Sequence, residues 1–251
     1  MTGPRLIALW GPPRSRSTLV LRMMLQRGDL TVVHEPFSNF HVLGYFCVGD
    51  ERADSYDDLA ALLCRESRRR PVFFKDTTEY RYPQVLADQS ILAEATNTFI
   101  VREPAEAIAS HYAINPELTM AEVGYEHLFE IFAAVRDTSG TTPTVIDAAD
   151  LVADPPGVVS AYCARIGLPF RRQMLSWEPG ERTEWARTAR WHSDLSESRQ
   201  VTRTAKHYAV RVDNDKRLAA MYRHHLPFYE ELRRSRVRPS DPQSAGGPSP
   251  L

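Results

Sequence analysis

Residues 6–19, Leu-Ile-Ala-Leu-Trp-Gly-Pro-Pro-Arg-Ser-Arg-Ser-Thr-Leu, constrain the fold more than any other part of this 251-residue chain. The apolar run Leu6 to Trp10, closed by Gly11-Pro12-Pro13, reads as a short buried strand ended by a turn. A helical pattern follows at once over residues 17–27, with Leu19, Val20, Met23 and Met24 on one face and Gly28 placed for a left-handed stop. Strand, loop and helix in that order open a parallel α/β unit. In such sheets ligands bind beyond the carboxyl ends of the strands. A helix N-terminus there offers unpaired N–H groups and the positive end of a dipole. Arg14 and Arg16 add charge, and Ser15, Ser17 and Thr18 add hydroxyl donors. That is more than a cap requires, and it suits a phosphate-like anion; the plainer alternative is a turn capped by Ser17. The loop is not the G-x-x-x-x-G-K-[ST] of nucleotide triphosphatases, because the second Gly and the Lys are missing.

The α/β alternation continues. Strand patterns fall at residues 30–34, 71–75, 98–101 and 143–146, and helical patterns at 57–65, 103–112, 119–136 and 155–166. Together with the first strand they predict an α/β fold with a parallel sheet of about five strands flanked by helices, resembling the P-loop nucleotide-hydrolase architecture, with a helical C-terminal part. The best C-terminal helix pattern covers 214–225 and is expected to stop before Pro227. With no repeat and no internal linker, residues 1–238 read as one domain. Residues 239–251, nine of them Pro, Ser or Gly, read as a disordered tail.

The charge balance of 31 basic against 32 acidic residues argues against a bulk nucleic-acid binder. No apolar run reaches eighteen residues and the first residues lack the pattern of a secretory signal, so no membrane span and a cytoplasmic location are expected. Cys47, Cys64 and Cys163 are widely spaced and read as reduced thiols. Arginines make up 28 of the 31 basic residues, which makes each single Arg weak evidence and Lys75 worth notice. Trp191-His192 and His224-His225 are not metal pairs, since neighbouring helical residues face different ways, and no metal is expected.

Arg102 ends the fourth predicted strand, at the same sheet edge as the first loop, and Ser110 lies eight residues on. An arginine at a strand end is commonplace. Paired with the first loop, it suggests a nucleotide with anionic groups at both ends. These two segments, P-x-R-S-x-S-T-L and F-I-V-R-E-P-A-E-A-I-A-S-H-Y, resemble the two cofactor signatures of sulfotransferases that use 3′-phosphoadenosine 5′-phosphosulfate (PAPS, leaving the product PAP). A third stretch, Ala149-Asp150-Leu151-Val152-Ala153-Asp154-Pro155 with Ile166-Gly167-Leu168-Pro169-Phe170, is similar to the pattern after that family's fifth strand. The resemblance spans about residues 5–170.

It implies that Arg14 contacts the transferring sulfuryl group, that Ser15, Ser17 and Thr18 bind the 5′ end, and that Arg102 and Ser110 bind the 3′-phosphate. Arg16 stands where the family has a small Gly; it can clash, fold outward or add a contact. The family's C-terminal R-K-G motif is absent, and Ser198, Arg199 and Arg203 are the nearest substitutes. Branches of the family carry Glu-Pro at the end of the second strand, which makes Glu35 the expected catalytic base, its proton affinity raised by desolvation. His34 remains the alternative, because strand alternation sends only one of the two toward the cofactor. Lys75 ends the third strand, where relatives place a Lys that reaches the bridging oxygen or the acceptor; the alternative is a surface pair with Asp76.

The resulting reading is a sulfotransferase that moves a sulfuryl group from PAPS to a hydroxyl or amine of a small-molecule acceptor by in-line displacement. Segments 38–56, 113–135 and 175–210 are expected to touch the acceptor. Aromatics in or beside them, Phe37, Phe40, Tyr45, Phe46, Tyr112, Trp177, Trp185 and Trp191, are either pocket lining or core. Two rivals remain: a P-loop small-molecule kinase using ATP and Mg²⁺, and a non-catalytic nucleotide-binding regulator on the same fold.

Overall fold

The computed structural model describes residues 5–87, 90–180, 198–202 and 206–239. Strand β1 (Leu6–Gly11) is buried along its whole length. Its side chains alternate between two apolar clusters, with Ala8 and Trp10 in one and Ile7 and Leu9 in the other. A strand covered on both faces in this way belongs at the centre of a parallel sheet.

The elements follow in the order α1 (Ser17–Leu25), β2 (Thr31–His34), α2 (Pro36–Leu43), β3 (Phe46–Val48), β4 (Glu51–Ala53), α3 (Tyr56–Arg69), β5 (Val72–Thr77), α4 (Pro83–Ala87), α5 (Ser90–Glu94), β6 (Thr96–Val101), α6 (Pro104–Tyr112), α7 (Tyr125–Ser139), β7 (Thr144–Asp147), α8 (Ala148–Ala153), α9 (Pro155–Arg165) and α10 (Lys216–Arg234). Five strands form a sheet in the order β2-β5-β1-β6-β7, all pairs parallel. The cluster on one face includes side chains of α2, α3, α5, α6, α7 and α10; the other includes α1, α8 and α9. The chain leaves β1 toward α1 on one face and leaves β6 toward α6 on the other. The crevice between these adjacent strands is the switch point where α/β sheets bind ligands.

The five-strand parallel sheet matches the expectation, and the differences have physical causes. Residues 36–53, which carry no strand pattern in the sequence, contain α2 and an antiparallel β3–β4 hairpin; Gly49 turns the hairpin at φ 59. The helix expected over 119–136 is broken. A 3-10 turn covers Ala121–Val123, and Gly124 sits at φ +83 before α7 starts. A side chain at Gly124 would put Cβ 2.7 Å from the Thr78 carbonyl oxygen and 3.1 Å from Pro13 Cδ, so this glycine lets α7 begin against the first loop.

Helix α10 runs through Pro227 instead of stopping there. Pro227 and Arg223, whose carbonyl loses its partner, both face solvent. Leu218, Met221, Tyr229 and Leu232 bury the opposite face, which outweighs the roughly 3 kcal/mol a helical proline costs. Asp147, at the end of β7 and fully buried, anchors this helix by accepting from Arg233 Nε at 2.6 Å and Tyr229 Oη at 3.3 Å. No described helix is long and apolar enough to cross a membrane. The expected tail from residue 240, together with Trp185, Trp191, His192 and Arg203, lies outside the described residues.

Candidate active site

The loop after β1 folds tightly over the strand ends. A Cβ on Gly11 would stand 2.6 Å from Ile100 Cγ2 and 2.8 Å from Ser15 Oγ. Thr78 closes the other side, donating from its N–H to the Gly11 carbonyl at 3.0 Å and from Oγ1 to the Gly124 carbonyl at 2.8 Å. Arg14 and Arg16 take left-handed backbone, φ 64 and 70. The Arg16 value accounts for a glycine at that place in the resembling loops, since only glycine adopts this region without cost. Its guanidinium folds outward and donates to the Thr202 carbonyl at 3.5 Å. Helix α1 starts at Ser17 with no side-chain cap on its first turn. Ser17 and Thr18 are buried there.

The two anion sites read from the sequence are brought into contact. Arg14 Nε donates to Ser110 Oγ at 3.0 Å, and Arg102 Nη1 donates to the Arg14 carbonyl at 3.1 Å. Arg102 Nε also meets Glu106 Oε2 at 2.9 Å. Glu106 is 62% exposed, so this pair is weak and easily exchanged for another anion. The Tyr125 hydroxyl donates to the Arg102 carbonyl and ties α7 to the same edge. Ser110 is buried at 2% exposure. Ser15 Oγ and Thr77 Oγ1 are buried at this edge with no hydrogen-bond partner among the described residues. A buried hydroxyl left unpaired costs about 1–3 kcal/mol, so both oxygens are available to a further partner.

The second half of the site lies across β5. Lys75 and Asp76 are 3% and 0% exposed, so they are not a surface pair, and alternation along the strand points them to opposite faces. Lys75 Nζ donates instead to Glu35 Oε1. His34 is the register partner of Lys75, and its Nε2 lies 3.7 Å from the same oxygen. The expected divergence of His34 and Glu35 therefore fails. The strand ends at His34, and Glu35 turns into left-handed backbone at φ 49. That turn brings its carboxylate back to the face occupied by His34 and Lys75. The Glu35 side chain is 12% exposed and that of His34 2%, so of the two Glu35 is the one an incoming molecule can reach. Asp76 was not singled out by the sequence, although the polar run Lys75-Asp76-Thr77-Thr78 at the tip of a buried strand was a usable signal.

Several buried groups are held in their neutral state. Desolvation, with the Lys75 charge adding and Glu35 opposing, lowers His34 to about 4. Desolvation and the Arg14 charge lower His111 to about 4. Desolvation likewise lowers His225, whose Nε2 donates to the Met120 carbonyl at 2.8 Å, to about 4. Each of these histidines binds a proton more weakly folded than unfolded. Their stabilisation is complete above pH 6.5 and is lost as the pH falls toward 4, about 2 kcal/mol each by pH 5. Asp76 acts oppositely. Burial and then the Glu35 charge raise it to about 8, against the pull of the Phe37 and Thr77 N–H groups, so it offsets roughly one histidine. Thermal melts are expected to show a clearly lower Tm at pH 5 than at pH 7, with part of the drop removed by His225→Gln. A Tm flat between those pH values would contradict this balance.

Among the described residues no three His, Cys, Asp or Glu side chains gather into a metal site. Of the aromatics considered for an acceptor pocket, Phe37, Phe40 and Trp177 are core, whereas Tyr45, Phe46 and Tyr112 are half-buried.

Two curated proteins of Arabidopsis thaliana are similar to this chain, the branched-chain-amino-acid aminotransferase-like proteins 1 and 2. Each is 26% identical, over 79% and 74% of this chain and 37% and 34% of their own length. The chain thus spans about a third of the length of the curated relatives it matches. Among solved structures, the sulfotransferase domain of the curacin biosynthetic pathway shares 17% identity, covering 78% of this chain and 98% of that one, with a TM-score of 0.49. A mouse sulfotransferase, SULT7A1, solved with PAP, shares 12%, covering 91% and 84%, with a TM-score of 0.47. Residues 5–236, from the first strand to the end of the last helix, match the sulfotransferase domain, and the chain belongs to that family.

Proposed function

We propose that this chain transfers a sulfuryl group from PAPS to a hydroxyl or amine of a small-molecule acceptor. The supporting observation is that Arg14, Ser110 and Arg102 form one connected positive patch at the β1/β6 crevice, beside the uncapped start of α1 and the unpaired hydroxyls of Ser15 and Thr77. This donor set suits a doubly anionic adenylate. Arg102 and Ser110 take the 3′-phosphate; Arg14, Ser15, Ser17 and Thr18 take the 5′ end; Arg16, turned outward, is an outer contact at most.

PAPS supplies the sulfuryl group, and the chain's residues do the rest. Glu35 accepts the proton of the attacking acceptor group. Lys75 holds the Glu35 carboxylate in place and supplies positive charge where the bridging oxygen leaves. Arg14 stabilises the charge that develops on the 5′ side, as in phosphoryl transfer, where positioning and electrostatics supply most of the catalysis. With Lys and the second Gly missing from the loop, ATP–Mg²⁺ is not the expected ligand.

A thermal-shift series with PAP, PAPS, ATP–Mg²⁺ and no ligand tests this. PAP at a hundredfold excess over its Kd adds about 2.7 kcal/mol, a rise of about 5–10 °C in Tm for a chain of this size, and ATP–Mg²⁺ adds little. A larger shift with ATP–Mg²⁺ refutes the reading. A labelled-sulfate assay against pooled acceptors then separates enzyme from binder, because PAP binding without transfer to any acceptor leaves only a nucleotide-binding regulator.

A further inference from the structure

Helix α2 starts with an unusual division of labour. Pro36 occupies its first position and has no N–H, so the first donors needing partners are the N–H groups of Phe37 and Ser38. A side chain at the cap position ordinarily turns back to accept from those groups. Glu35 holds that position and makes no capping bond; its carboxylate meets Lys75 instead. Both N–H groups donate to Asp76, from Phe37 to Oδ2 at 2.6 Å and from Ser38 to Oδ1 at 3.2 Å. Oδ1 also accepts from the Thr77 N–H at 2.9 Å. Asp76 is fully buried, and the Tyr82 hydroxyl approaches the same oxygen at 3.5 Å.

We propose that Asp76 is a positioning residue for Glu35. By capping α2 from a neighbouring strand it frees the Glu35 side chain from that task and holds the left-handed turn that aims the carboxylate at Lys75. Successive residues of β5 thus grip Glu35 twice: Lys75 from one face of the sheet by charge, Asp76 from the other through the helix start. The inference rests on Glu35 being the base.

The decisive variant is Asp76→Asn, because an amide nitrogen accepts nothing and one of the two capping N–H groups loses its partner. Turnover is followed as PAP release from saturating PAPS in the presence of a hydroxyl or amine acceptor found by the labelled-sulfate screen, the sulfuryl group passing to that acceptor. The expected result is a ten- to hundredfold loss of kcat, with the Kd for PAP within about threefold of wild type. In a Glu35→Gln background the same change lowers the residual rate less than twofold, because the residue it positions is already disabled. A further tenfold loss in that background, or PAP affinity falling in step with turnover, makes Asp76 merely structural and overturns the proposal. Wild-type turnover in Glu35→Gln itself removes the base assignment, whereas loss there with wild-type turnover in Asp76→Asn removes only the present inference. Should Asp76→Asn not fold, amide hydrogen exchange on the unaltered protein decides: Phe37 and Ser38 protected at least a hundredfold support the cap, and free exchange at either overturns it.

Discussion

Glu35→Gln is expected to bind PAP within about twofold of the unaltered chain and to turn over about 10²- to 10⁴-fold more slowly, the usual range for removing a general base. The amide keeps the size of the carboxylate and an oxygen that can accept from Lys75 Nζ, so the local packing survives. What it loses is the capacity to take the acceptor's proton. Binding is unaffected because the PAP contacts proposed for this chain lie on the β1 loop and at the end of β6, across β5 from Glu35. Isothermal titration with PAP and initial-rate measurements on the same preparation check both halves. Turnover retained at wild-type level rules Glu35 out and leaves His34 as the candidate, despite its 2% exposure.

Arg102→Ala is expected to weaken PAP by about 10- to 100-fold and to leave 5′-AMP, which lacks the 3′-phosphate, almost unchanged. Each charge-assisted hydrogen bond is worth about 1.5–3 kcal/mol, and 1.4 kcal/mol is a factor of ten in Kd. Arg102 also donates to the Arg14 carbonyl, so the comparison separates two roles. Parallel losses for PAP and AMP show that Arg102 shapes the first loop; a loss confined to PAP shows that it reads the 3′-phosphate. The ion pair of Arg102 with the exposed Glu106 is weak, so its exchange for a phosphate is expected to cost little.

Much of this site was legible in the sequence because its parts sit where short-range patterns break. Leu6–Gly11 is apolar, buried and closed by glycine and prolines, so strand, loop and helix followed from local chemistry. Arg102 and Ser110 were eight residues apart on a recognisable strand and helix. The rest depended on contacts between distant segments. Asp76 caps a helix that begins 40 residues earlier in the chain, and no local pattern announces such a partner. The meeting of His34 and Glu35 was hidden for a different reason: alternation governs side chains only while the strand lasts, and it ends at His34. At α10 the local rule for proline was sound, yet the buried face on the other side of the helix outweighed it.

Arg14, Arg16 and Glu35 are the non-glycine residues with positive φ among those described; two stand in the loop after β1 and the third at the end of β2, all at the carboxyl edge of the sheet. Backbone in that region holds about 1–3 kcal/mol per residue. On the function proposed above, the strained turns are the ones that hold the cofactor and aim the base. On that reading, swapping in glycine at those places to gain heat tolerance is expected to relax the backbone while slackening the hold on cofactor and acceptor. Ruggedness and speed would then pull on the same few peptide units.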